Sequence, residues 1–306
     1  MPRHISLIFP GQGSQSIGML DSFSEDELSY VTKISNEVLD TNIVDCIKNG
    51  PQEDLNKTSI TQPALLIASY LYYKKFLDLF DITPNLLAGH SLGEYSALLA
   101  SNSIKIDDAI SLVHKRGKFM ENSQKGSMFA ILNLDLYEIN QICKVVEDET
   151  GQVISPANIN SPNQVVISGD TEAVDLTVKY LKEHGVKKCI KLNVSVPSHC
   201  DLMRKSAEQF AEIVNGTHFK EPKCKIIHNV DATSTSNITE IKTKLVNQLT
   251  KPVQWVQTME YIKQYDTIFV ECGPNKVLSS LAKANSVDNI YSSSSEDFVN
   301  KIEQIL

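Results

Sequence analysis

Residues 86–100 constrain this chain more than any other stretch. The apolar run Leu86-Leu87-Ala88 leads into Gly89-His90-Ser91-Leu92-Gly93, and Glu94-Tyr95-Ser96-Ala97-Leu98-Leu99-Ala100 continues in helix-forming residues. A strand, a Gly-x-Ser-x-Gly turn and a helix in that order make a nucleophile elbow. The turn leaves no room for side chains on its flanks, a demand that Gly89 and Gly93 meet. Ser91 is then held in strained backbone with its hydroxyl exposed at a helix N-terminus. There the free N–H groups and the helix dipole favour negative charge. Two glycines around a serine also occur by chance, so the frame draws its meaning from the strand before it and the helix after it.

The remaining segments indicate the sheet that this strand joins. Residues 5–9, Ile-Ser-Leu-Ile-Phe, read as a buried first strand ended by Pro10-Gly11-Gln12-Gly13-Ser14-Gln15. Ser16 stands where a dinucleotide fingerprint needs its third glycine, which rejects a nicotinamide cofactor. Helical patterns cover 24–36 and 37–48. A long apolar helix opens at Thr61, as N-cap, with Pro63 in its first turn, and runs to Phe76. Another helix spans 106–122.

A unit with a different rhythm follows: strand 128–133, helix 136–147, strands 153–158 and 164–168, helix 173–183, strand 188–194. This βαββαβ order is the split, ferredoxin-like motif. The alternation of the first part then resumes with helix 206–214, strand 225–229, helices 241–249 and 253–265, and strand 267–271. Short apolar strands alternating with helices predict an α/β fold with a mainly parallel sheet covered on both faces. The expected organisation is a large domain from 1–127 and 196–306, with a small subdomain, 128–195, inserted into it.

With 306 residues, 42% hydrophobic and 22% charged, the chain has the makeup of a soluble globular protein. Its net charge of −8 argues against nucleic-acid binding and against an anionic membrane surface. The six cysteines (Cys46, Cys143, Cys189, Cys200, Cys224, Cys272) show no metal-ligand spacing and read as reduced thiols. Residues 5–9 are too short an apolar run for a signal peptide, and 58–73 is too short and polar to span a bilayer. The expectation is a cytoplasmic monomer that uses neither metal nor cofactor.

A serine nucleophile needs a base, an oxyanion hole and something that selects the acyl group. Among seven histidines, His199 stands out in Ser195-Val196-Pro197-Ser198-His199, where Pro197 stiffens a loop after the inserted unit. A loop histidine satisfied by its own neighbours accounts for it as well. His90 adjoins the serine but points away by elbow geometry, and reads as structural. The N–H of Leu92 supplies one oxyanion donor. The Gly11-Gln12-Gly13 loop is the natural source of a second, unless it is only a tight turn. Arg116 is followed by Gly117, a residue that costs a helix roughly 1 kcal/mol against alanine. That fits close packing, or a guanidinium turned inward to grip a carboxylate bidentately. A surface arginine paired with Glu121 or another acid is the other reading.

Seven segments taken together carry a resemblance. They are Phe9-Pro10-Gly11-Gln12-Gly13-Ser14-Gln15, Gly89-His90-Ser91-Leu92-Gly93-Glu94, Arg116-Gly117 with Met120, Asn158-x-Asn160-Ser161-Pro162, Val196-Pro197-Ser198-His199, Pro252-Val253-Gln254-Trp255 and Glu271-x-Gly273-Pro274. In this order, over nearly the whole chain, they resemble the malonyl-CoA:acyl carrier protein transacylase family. The resemblance implies an α/β-hydrolase-like core with an inserted ferredoxin-like subdomain, in agreement with the pattern above. It implies Ser91 as nucleophile, His199 as base and later acid, the Gln12 and Leu92 N–H groups as oxyanion hole, and Arg116 on the malonyl carboxylate. Gln248 matches the position whose carbonyl orients the histidine in place of a triad aspartate. The implied partners are malonyl-CoA and an acidic acyl carrier protein, for which Lys182, Lys187, Lys188 and Lys191 form a candidate basic patch, or else a solvated face. Phe129 and Asn275 depart from the family pattern, at positions expected to shape the mouth of the site. A serine hydrolase with the same elbow, and an acyltransferase for another extender unit, are the competing readings.

Overall fold

The first strand, β1 (His4–Phe9), is central to a five-stranded sheet in the computed structural model, which describes residues 4–194 and 196–305. Its core-facing run is fully covered because helices lie on both faces of the sheet. Ser24 and Glu27 cap the next element reciprocally, starting α1 (Glu25–Val38). Asn42 caps α2 (Ile43–Asn49), so the second helix begins later than residue 37: Leu39 to Asn42 break the pattern and offer the stronger cap. A short α3 (Gln52–Leu55) precedes α4 (Thr58–Phe80).

The long helix starts before Thr61, and Thr61 is not its cap. The Thr61 hydroxyl instead donates to the Leu55 carbonyl at 2.5 Å. Pro63 therefore sits in the second turn, where it removes the N–H that would bond the Ser59 carbonyl. His114 satisfies that carbonyl from the side, donating through Nδ1 at 2.8 Å.

Next come β2 (Leu86–Gly89), α5 (Gly93–Ala100) and α6 (Ile106–Glu121). The inserted unit is β3 (Ser127–Leu132), α7 (Leu136–Thr150), β4 (Ile154–Ser161), β5 (Gln164–Gly169), α8 (Thr171–Glu183) and β6 (Lys188–Lys191). The remainder is α9 (Arg204–Gly216), β7 (Lys225–Ile227), α10 (Ile238–Asn247), α11 (Trp255–Lys263), β8 (Thr267–Glu271), α12 (Val277–Ala284), β9 (Ile290–Ser292) and α13 (Phe298–Glu303). The sequence pattern missed the last helices and β9, which has only three residues with too little periodicity to read.

The large sheet runs β7-β2-β1-β8-β9, and every pairing is parallel. The small sheet runs β4-β5-β3-β6 with antiparallel pairings, the order of a split βαββαβ unit. Ile131, Ile159 and Ile167 of the small sheet pack with Ile139 of α7 and Val174 of α8 on one face. Met128, Ala130, Ala157 and Val166 line the other. Backbone bonds Val253 N–H to Ala157 O and Ile159 N–H to Val253 O, both 2.9 Å, tie β4 to the segment that enters α11. No described helix is long and apolar enough to cross a membrane.

Candidate active site

The carboxyl ends of β1 and β2 lie side by side, with Phe9 paired to Gly89. Parallel α/β sheets form their sites at this edge. The elbow turns so sharply that a Cβ on Gly89 would fall 1.9 Å from the Gly93 carbonyl carbon. A Cβ on Gly93 would fall 2.0 Å from the Phe9 carbonyl oxygen. Ser91 takes a left-handed conformation, φ +51°, rare for a serine and characteristic of strained functional turns.

Ser91 Oγ lies 2.9 Å from His199 Nε2. On the far side of the ring, His199 Nδ1 lies 2.6 Å from the backbone carbonyl of Gln248. A carbonyl only accepts, so Nδ1 carries the proton and Nε2 presents its lone pair to the serine hydroxyl. Burial, reinforced by the nearby Arg116 charge, pushes His199 down to about 3, which keeps the ring neutral. His199 has φ +62° and is buried, so its loop is held rather than free. Ser195, the first residue of the Val196-Pro197-Ser198-His199 loop as read from sequence, lies outside the described residues. Among the described residues no carboxylate reaches His199.

Arg116 projects from α6 into the same space and is only 1% exposed. Its Nη2 donates to Ser91 Oγ at 3.3 Å and to Gln248 Oε1 at 2.8 Å, and its guanidinium carbon lies 5.4 Å from the Tyr95 ring centre. No acid among the described residues forms an ion pair with it, and Nε has no partner. Glu121 instead accepts from the Ser59 N–H at 2.8 Å, and with Arg116 buried the surface-pair reading falls. Burial lowers the guanidinium's pKa, and Tyr95 and Glu94 oppose the shift. Gly117 is explained by contact: a Cβ there would lie 2.6 Å from the Ser59 Cα, so α6 reaches its position only through close packing on α4.

The loop after β1 rests on the elbow, since a Cβ on Gly11 would lie 2.4 Å from the His90 carbonyl oxygen. Neither the Gln12 nor the Leu92 N–H donates a hydrogen bond to another described residue. Both are thus available to an oxygen from outside the chain. His90 turns away from the serine, with Nε2 2.8 Å from Asn160 Oδ1 and its ring edge-on to Trp255.

The acyl transferase domain family matches residues 6–295 of this chain. The malonyl CoA-acyl carrier protein transacylase of Haemophilus influenzae is 42% identical over 288 residues, 92% of each chain. The chain belongs to this transacylase family. The malonyl CoA-acyl carrier protein transacylase of Coxiella burnetii superposes with a TM-score of 0.95 at 36% identity, over 99% of this chain and 98% of that one. Another transacylase, solved in complex with its type II polyketide acyl-carrier protein, superposes with a TM-score of 0.92 at 37% identity, over 98% of this chain and 99% of that one.

Within this transacylase fold the sequence reading gave no site role to three buried residues. Asn229 accepts from the Ser91 N–H through Oδ1 at 2.7 Å and donates from Nδ2 to the Gly89 carbonyl at 2.6 Å, pinning the elbow from outside. Glu94 and His228, both fully buried, meet at 2.7 Å behind it. The position of residues 228–229 just beyond β7, at the carboxyl edge of the sheet, was the available signal. The two departures from the family pattern also resolve. Phe129 does not shape the mouth of the site: it packs with the Ile131 cluster on the helix-covered face of the small sheet. Asn275 has φ +64°, a conformation asparagine tolerates, and its Nδ2 donates to the Ser14 carbonyl at 2.7 Å, tethering the loop that carries Gln12.

Proposed function

We propose that the chain transfers the malonyl group of malonyl-CoA to the phosphopantetheine thiol of an acyl carrier protein, through an ester on Ser91. The observation that carries this reading is Arg116: a buried cation beside the serine hydroxyl with no acid in direct contact among the described residues. A buried unpaired charge is costly, so such a site is completed by a ligand bearing the carboxylate. The names of the relatives point to the same acyl group.

In the first half-reaction Arg116 holds the malonyl carboxylate and places the thioester carbonyl against Ser91. His199 Nε2 takes the hydroxyl proton as Oγ bonds to the carbonyl carbon. The oxyanion is held by the Gln12 and Leu92 N–H groups. The C–S bond breaks, the imidazolium returns its proton to the CoA sulfur, and malonyl-Ser91 remains. The carrier thiol then gives its proton to His199 and attacks the ester; Ser91 Oγ leaves and recovers that proton. The cycle is ping-pong. Gln248 O keeps the imidazole in the required tautomer, the task a triad aspartate performs elsewhere.

The large domain in this reading comprises 1–127 and 196–306 and carries every reacting group, while 128–195 forms the small subdomain. The chemistry needs no resident cofactor or metal. The enzyme acts as a cytoplasmic monomer, and its carrier docks on the edge of the small subdomain that carries Lys182, Lys187, Lys188 and Lys191, all of which are exposed.

Arg116→Ala tests the assignment. Malonyl transfer is expected to fall by about 100-fold or more, the scale of a lost charge-assisted hydrogen bond pair, while acetyl transfer rises relative to it. Unchanged preference for malonyl-CoA in competition with acetyl-CoA would remove Arg116 from the substrate site.

A further inference from the structure

Glu94 is a residue for which the reaction above has no task. It is fully buried in the first turn of α5. Its Oε2 accepts from Gln248 Nε2 at 2.6 Å and from the Asn229 N–H at 3.1 Å, and its Oε1 lies 2.7 Å from His228 Nδ1. Its carboxylate hydrogen-bonds neither Ser91 nor His199. Its route to the chemistry runs through the side chain of Gln248.

That side chain has one allowed orientation. Gln248 Nε2 faces three oxygens: Glu94 Oε2, the Ser91 carbonyl at 3.1 Å and Asn229 Oδ1 at 3.4 Å. An amide NH2 donates to such a set, whereas an amide oxygen there would meet only acceptors. The amide therefore cannot flip, and Oε1 is aimed at Arg116 Nη2, 2.8 Å away. Arg116, Gln248 and Glu94 thus stand in line as cation, amide and carboxylate, with the amide dipole favourable to both charges.

We propose that Glu94 is a positioning and specificity-determining residue, the remote counter-charge that holds Arg116 aimed at the acyl pocket through the Gln248 amide. This rests on the malonyl-transfer reading. The physical reason is a conflict that the relay resolves. A buried guanidinium requires negative charge nearby. A carboxylate in direct contact would supply it, but would also occupy the donors that the substrate carboxylate needs. Placed one amide away, Glu94 stabilises the cation while Nε stays without a protein partner. Selectivity for a free carboxylate on the acyl group then depends on Glu94 as well as on Arg116.

The test compares wild type, Glu94→Gln and the exchange Glu94→Gln/Gln248→Glu, with malonyl-CoA and acetyl-CoA as separate donors. Glu94→Gln is expected to lower kcat/KM for malonyl-CoA about tenfold, chiefly through KM, and to lower acetyl transfer by clearly less. The exchange keeps one acid and one amide and the backbone carbonyl at 248, but sets a carboxylate oxygen against the Ser91 carbonyl and Asn229 Oδ1, so the ratio between the two donors is read rather than the absolute rate. It places the acid against Arg116, so it is expected to lose malonyl preference more completely than the single variant. Recovery of malonyl preference in the exchange variant, or an equal fall for both donors in Glu94→Gln, overturns the proposal. Should Glu94→Gln alone fail to fold, the exchange variant decides by the same ratio. Failure of the underlying reading is distinct: wild type itself would then show no preference for malonyl-CoA.

Discussion

His199 illustrates how one residue's surroundings set its chemistry. The folded site disfavours its charged form, first by burial and then by the Arg116 charge, so it sits far below the ordinary imidazole value of 6.5. Its proton-accepting form therefore persists as pH falls through the range where an exposed histidine would become charged. We expect kcat/KM for malonyl-CoA to show no acid limb near pH 6.5, with activity retained to about pH 5, since this parameter reports the free enzyme. Arg116→Ala removes one of the depressing causes, leaving burial and the nearby His90, so its limb should move to higher pH. An acid limb at the ordinary imidazole value in wild type, measured by initial rates, would contradict the neutral, buried base. The sequence singled out both residues but could not choose between the active and the ordinary reading of either, because burial and partners decide it. Arg116 with Glu121 was a reasonable surface pair until the fold gave Glu121 to the Ser59 N–H.

Among the elements, the elbow was the most legible, since steric exclusion is written directly as glycine. Three chain segments converge within van der Waals distance at β2, α5 and the end of β1, and alanine cannot enter. Gly93→Ala would place a methyl 2.0 Å from the Phe9 carbonyl oxygen, against rigid backbone. Overpacking of that kind costs about 1–3 kcal/mol or more. We expect a lowered midpoint in urea together with lost Ser91 reactivity; an unchanged midpoint would mean that the turn relaxes freely. Helix ends were less legible. Thr61-Gln62-Pro63 carries the chemistry of a helix start, yet α4 begins at Thr58 because tertiary partners, His114 on the Ser59 carbonyl and Leu55 O on the Thr61 hydroxyl, absorb what Pro63 disrupts. The His114 part of that rescue comes from 55 positions away and leaves no local trace. The βαββαβ unit was legible for the opposite reason, being built from local alternation closed by turn residues.

Over the whole molecule, two sheets bring together residues from opposite ends of the chain: Gln12 after β1, Ser91 after β2, Arg116 on α6, His199 after the inserted unit and Gln248 at the end of α10. The order of these residues in sequence carries no distance information, which is why Asn229 and the task of Glu94 passed unnoticed until the strands were paired. Charge also acts at this scale. The chain carries a net −8, so an acidic carrier must meet a local positive face. Reversal at Lys187 and Lys188 to glutamate should raise KM for the carrier protein and flatten its salt dependence, while the rate of Ser91 acylation by malonyl-CoA stays the same. An unchanged KM and salt slope would move docking to another face.

The central claim is that Ser91 carries a malonyl group between two thiols, and intact mass of the protein reads this directly. After mixing with malonyl-CoA the wild-type chain should gain one malonyl group, and Ser91→Ala should gain none. Adding holo acyl carrier protein should return the chain to its starting mass as the carrier gains the same group. A chain that never gains the group, or that loses it to water as free malonate with the carrier left unchanged, would contradict the account.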